Sequence, residues 1–114
     1  MRVRLDTLPV REVFPGFHGR FVHSDSMTLA YWNIDEGAMA PAHAHPHEQV
    51  VTMQEGELEL VVGGATHHLR AGDIVPIPGN VVHSARALTA CRVLDVFSPV
   101  REDYRGPAGP DDRA

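Results

Sequence analysis

Three histidines fall within five residues in the segment His43-Ala44-His45-Pro46-His47-Glu48-Gln49. Imidazole is a common transition-metal ligand. His43 and His45 are two apart, so on an extended strand they project from the same face, a spacing that suits two imidazoles gripping one ion. Gln49 keeps that parity four residues further on. A second chemical set lies near the other end, in Val93-Leu94-Asp95-Val96-Phe97-Ser98-Pro99-Val100-Arg101. Asp95 sits in an apolar run, with Val93 and Phe97 on its own side. Burial would raise the pKa of such a carboxyl and suit it to general acid–base work. Arg101 follows the strand-breaking Pro99, from where it can swing over a pocket and grip a substrate carboxylate with both arms of its guanidinium. The plainer alternative is that Asp95 and Arg101 form a structural ion pair.

These groups need a scaffold, and the composition limits what it can be. The 114 residues are enough for one domain with a single core. The net charge of −5, with no clustered basic patch, argues against a nucleic-acid partner. All ten basic residues are arginine, which excludes Schiff-base catalysis by a lysine. Cys91 is the sole cysteine, so no intramolecular disulfide and no cysteine-based zinc ribbon can form, and a reducing, cytoplasmic setting is expected. The first nine residues hold no long apolar run, so no secretory signal is expected, and no window is long enough to span a bilayer.

No helical periodicity is sustained anywhere. Short strand-like runs recur instead, each closed by Gly, Pro, Asn or Asp. The expected strands are 17–23, 27–34, 47–54, 57–62, 66–70, 74–77, 81–87 and 91–97, with Gly63-Gly64 as a two-residue hairpin turn. Residues 1–16 read as a lead-in with room for an edge strand, 17–105 as the folded domain and 106–114 as a flexible tail. Turn signals every eight to twelve residues predict an all-β barrel or double-sheet jelly roll. Met27–Ile34 carries apolar residues on both faces, which fits an interface strand of a homodimer and equally a fully buried strand.

Two segments resemble the paired motifs of the cupin superfamily. Gly37-x5-His43-x-His45-x3-Gln49-x6-Gly56 is similar to the first, with Gln where Glu is usual. Gly72-Asp73-Ile74-Val75-Pro76-Ile77-Pro78-Gly79-Asn80-Val81-Val82-His83 is similar to the second, with altered Pro-Gly spacing. The resemblance implies a single-domain double-stranded β-helix, or jelly-roll barrel, holding one divalent metal ion through His43, His45, Gln49 and His83. Physically, a short segment cannot surround an ion, so a further ligand must come from a distant strand, and His83 begins one just after a turn. Three imidazoles and an amide form a neutral set that suits Zn, Ni, Fe or Mn. His47 shares the ligand parity, but Pro46 bends the chain there, and His47 is expected in the pocket behind the ligands. His18, His23, His67 and His68 are expected at the surface or satisfied in the core.

His-x-His-Pro-His-Glu-Gln, taken with Asp-Val-Phe-Ser-Pro-x-Arg-x-Asp-Tyr, resembles the small cupins of pectin and alginate breakdown, the KdgF family. That resemblance implies ring opening of unsaturated uronates to linear keto-deoxyuronates, with Asp95, Phe97 and Arg101 as active-site residues beyond the metal and a small carboxylated sugar as substrate. An amide at Gln49 cannot serve as a base or complete a two-histidine, one-carboxylate iron site, which turns the reading away from oxygenases. The alternatives are an iron-dependent cupin dioxygenase and a cupin that binds a small ligand without turning it over.

Overall fold

The computed structural model describes residues 2–105; the segment 106–114, read above as a tail, lies outside the described residues. The strands run in order β1 (Arg11–Glu12), β2 (Phe17–His23), β3 (Thr28–Ile34), β4 (Met39–His43), β5 (Glu48–Glu55), β6 (Leu58–Val62), β7 (Ala65–Leu69), β8 (Ile74–Ile77), β9 (His83–Ala87) and β10 (Cys91–Ser98). They form two antiparallel sheets, β1-β2-β3-β10-β5-β8 and β4-β9-β6-β7. This is the all-β jelly-roll architecture that the turn spacing predicts. Strands 17–23 and 74–77 have the expected bounds, and the other expected strands are found within two residues of theirs.

Alternation along each strand fixes which side faces the core. In β10, Cys91, Val93, Asp95 and Phe97 are buried, with Arg92 and Ser98 exposed. In β3, Thr28, Ala30, Trp32 and Ile34 point inward while Leu29 and Tyr31 are half-buried on the other side. β3 is therefore buried on one side only, and both its edges are taken, by β2 and β10. Phe17, Trp32, Val51, Val93 and Phe97 from the larger sheet meet Ala40, Leu58, Leu60 and Ala87 from the smaller one. Phe97 and Ile77 are among the most completely buried side chains, each contributing about 2 kcal/mol through removal from water. At the β6–β7 hairpin, Gly63 and Gly64 both take positive φ (55° and 87°), as the tight turn demands.

One expectation needs correction. His43 and His45 do not share a strand: β4 ends at His43, its register against β9 slips between Ala40 and His43, and His45 stands in the following loop. Pro46 and the slip end the ladder before His45 can join it.

Candidate metal centre and active site

The buried polar residues of the described chain are Thr28, Gln49, His83, Asp95 and Arg101. The last four were all singled out in the sequence. His43 on β4 and His83 on β9 are direct cross-strand partners, so their rings face the same side, with centroids 4.4 Å apart. His45 reaches the same point from its loop, its ring 4.9 Å from that of His83. The loop is pinned by the turn before β9: Asn80 N–H donates to His45 O at 2.7 Å. Gly79 lies so close beneath that a Cβ there would sit 2.4 Å from Pro46 O. The Pro-Gly-Asn turn of the second motif thus holds the histidine loop of the first. Gln49 enters from the opposite sheet on β5, and its Oε1 lies 3.1 Å from His45 Nε2.

The protonation pattern says what this cluster is for. In each histidine Nδ1 faces a backbone carbonyl: Pro41 O for His43 (2.6 Å), His47 O for His45 (3.1 Å) and Val81 O for His83 (2.9 Å). Nδ1 therefore carries the proton, and Nε2 is left with a lone pair. His83 Nε2 is buried with no hydrogen-bond partner. Burial, with the nearby Arg101 and His83 charges, pushes the His45 pKa down to about 4, and burial lowers that of His83 as well. A neutral His45 can donate to only one of His47 O and Gln49 Oε1; with its proton on Nδ1, its Nε2 and the Gln49 oxygen are both lone-pair donors to a cation between them. The histidines offer one nitrogen each, all within 4.8 Å of one another, an arrangement able to hold a metal ion. The residues fit the group the motifs imply. Their ligand types do not choose among Zn, Ni, Fe and Mn.

Asp95 lies deeper in the same cavity, which His43, Gln49, His83, Phe97 and Arg101 also line. Trp32 Nε1 donates to its Oδ2 at 3.0 Å, and Oδ1 is buried without a partner. Burial raises its pKa from 3.8 to about 7; the nearby Gln49 amide, the Trp32 hydrogen bond and the Arg101 charge pull the other way and keep the rise from being larger. Arg101 stacks over Tyr104 and Phe97, its guanidinium carbon 4.1 Å and 4.8 Å from their ring centres. Its forked contact goes to Asp103, through Nε to Oδ1 (2.9 Å) and Nη2 to Oδ2 (2.6 Å), and not to Asp95. The structural ion pair allowed for Arg101 exists, but with a different carboxylate.

Comparison with known proteins fits this picture. The Cupin domain family matches residues 30–97, more than half of the chain. The chain is a cupin. A similar curated relative is the pectin degradation protein KdgF of Dickeya dadantii, 29% identical over 102 residues, covering 87% of this chain and 93% of that one. The structure of KdgF from a Halomonas species superposes with a TM-score of 0.82 at 28% identity, covering 88% of this chain and 94% of that one. An RmlC-like cupin from Shewanella frigidimarina gives a TM-score of 0.86 at 30% identity, with 90% and 94% covered. This is a small KdgF-like cupin.

Trp32 was given no part in the sequence analysis, and Asp103 and Tyr104 stood there only as the end of the Arg-x-Asp-Tyr motif. Trp32 reaches Asp95 because β3 lies beside β10, pairing Ala30 with Asp95 and Trp32 with Val93. Asp103 and Tyr104 flank Arg101 in a short 3-10 turn, Glu102–Tyr104. Strand adjacency has no local signature, so Trp32 left none. The Arg-x-Asp spacing at 101–103 was a readable signal. The His47 ring stands edge-on to that of His45, with centroids 5.5 Å apart. His18 pairs with Asp35 and His68 with Glu57 at the surface, while His23 bonds Thr28 and Tyr104 O. Among the described residues no helix is long and apolar enough to cross a membrane.

Proposed function

We propose that this cupin opens the ring of an unsaturated uronate and carries it to the linear keto-deoxyuronate. The reaction is an isomerisation. The hemiacetal hydroxyl loses a proton, the bond from its carbon to the ring oxygen breaks, and the enol ether carbon that bears the carboxylate becomes a ketone. The neighbouring alkene carbon gains a proton. Such a reaction needs one group that both accepts and donates a proton, a grip on the carboxylate, and stabilisation of charge developing on oxygen.

The observation that carries this reading is Asp95 Oδ1, a buried carboxyl oxygen with no partner, in the same cavity as the histidine cluster. Burial pushes the pKa of Asp95 up to about 7 in the metal-free chain, which brings this carboxyl within reach of both accepting and donating a proton near neutral pH. Trp32 holds the other oxygen and fixes the carboxyl plane. Arg101, buried and cationic, binds the substrate carboxylate. Phe97 forms the apolar floor between Arg101 and His45, against which the sugar ring packs. His43, His45, Gln49 and His83 would hold one divalent ion, which supplies Lewis-acid polarisation of substrate oxygens. The similarity to a pectin degradation protein supports the substrate class. The half-buried outer side of Leu29 and Tyr31 supports association as a homodimer, which sedimentation would check.

Proton NMR of the metal-loaded protein with unsaturated galacturonate tests the reaction. The vinyl proton should vanish and a methylene pair appear, with no oxygen consumed. Oxygen uptake in step with product would place the chain among oxidative cupins instead. Binding without either change would make it a non-catalytic binder.

A further inference from the structure

Arg101 does not approach the cavity as a free cation. Its Nε and Nη2 are both spent on the two oxygens of Asp103, along the side-on edge of the guanidinium. A guanidinium has five N–H donors in a rigid plane. With the side-on edge filled, a second carboxylate in the same plane has to be taken by the end-on edge, Nη1 with the second Nη2 hydrogen. The face of the group is fixed as well, by Tyr104 and Phe97.

An ion pair involving an exposed carboxylate is usually worth little, and Asp103 is 55% exposed. Two features separate this pair from that case. The Arg101 side chain is only 10% exposed, so the guanidinium has no alternative solvated position close by. The backbone is also tied down on both sides of the contact. Arg101 N–H donates to Thr28 Oγ1 at 2.9 Å, and Arg11 Nη2 donates to Asp103 O at 2.9 Å. Burial works against the Arg101 charge, yet its pairing with Asp103 and Tyr104 raises its pKa, and the same pair lowers that of Asp103 against its own burial.

We infer that Asp103 is the positioning residue that turns Arg101 into a single-carboxylate receptor, presenting one edge of the guanidinium to the cavity and closing the other. Asp103 touches no substrate. It removes the rotation of the Arg101 fork that binding would otherwise have to freeze, and it leaves room for one carboxylate and not two. The inference rests on the reading of Arg101 as the carboxylate-binding group.

The probe is galacturonate, which carries the carboxylate but lacks the reacting double bond. Its binding to the metal-loaded protein is measured by calorimetry and compared with that of its uncharged methyl ester. Asp103→Ala should weaken galacturonate about tenfold and leave the ester unchanged, since a charge-assisted fork would be lost only for the acid. Asp103→Glu, which keeps the carboxylate, should recover part of the loss. With unsaturated galacturonate the Ala variant should show a raised KM at nearly unchanged kcat. Equal or tighter galacturonate binding by Asp103→Ala overturns the inference, because Asp103 would then be a bystander or a competitor for Arg101. Equal losses for acid and ester also overturn it, as would failure of the wild type to bind galacturonate. If galacturonate binds with the expected losses but no ring opening is detected, the proposed reaction fails and the role of Asp103 stands.

Discussion

Asp95→Asn should change the way stability depends on pH. In the folded chain the Asp95 pKa stands at about 7 against an ordinary 3.8. The folded state therefore binds this proton more tightly than the unfolded one. Its advantage is full below about pH 4 and is lost as the pH climbs through about 7. A displacement of that size corresponds to about 4 kcal/mol across the window. Asparagine keeps the shape and does not titrate. Urea denaturation of the metal-free wild type and variant, run at matched pH values, isolates the effect, because every other titrating group is common to both proteins. From about pH 4 to pH 8 the difference in unfolding free energy should move in the variant's favour by up to about 4 kcal/mol. A difference that stays constant within about 1 kcal/mol would refute the claim that burial raises this pKa.

The remaining predictions concern the surroundings of that carboxyl and of the histidines. Trp32→Phe removes the indole N–H that holds Asp95 Oδ2 and opposes the rise in its pKa, so the acid limb of the activity profile should move to higher pH. Divalent metal should raise the melting temperature in a concentration-dependent way, by about 2.7 kcal/mol in stability at a hundredfold excess over Kd. His83→Ala should abolish that response, since its Nε2 is an unsatisfied buried group that metal binding would satisfy. Gly79→Ala would place a Cβ 2.4 Å from Pro46 O and displace the loop bearing His45; calorimetry should show weaker metal affinity even though no ligand is changed.

The strands were readable because each short run ends on a turn former: the run over β6 alternates, and β8 is a short apolar run closed by Pro78-Gly79. The candidate ligands were readable because His43, His45 and Gln49 cluster within seven residues and His83 follows its own turn. Asp95 could be found because a carboxyl flanked on its own side by Val93 and Phe97 has nowhere to go but inward. What could not be read depends on which strands become neighbours. Placing β10 between β3 and β5 brings Trp32 to Asp95 and sets Gln49 opposite Phe97, and the adjacency of β4 and β9 makes His43 and His83 partners. The position of His45 was misread for a local reason: the same Pro46 that was used to set His47 apart also helps end the strand before His45.

The central claim is that Asp95 moves the proton in uronate ring opening. The most direct measurement is the loss of ultraviolet absorbance of unsaturated galacturonate with metal-loaded wild type, Asp95→Asn and buffer side by side. The expected result is a wild-type rate well above buffer and a fall of about a hundredfold or more in the variant, the usual scale for a lost general acid–base group. A wild-type rate equal to that of buffer, or an Asp95→Asn rate equal to that of wild type, would contradict it.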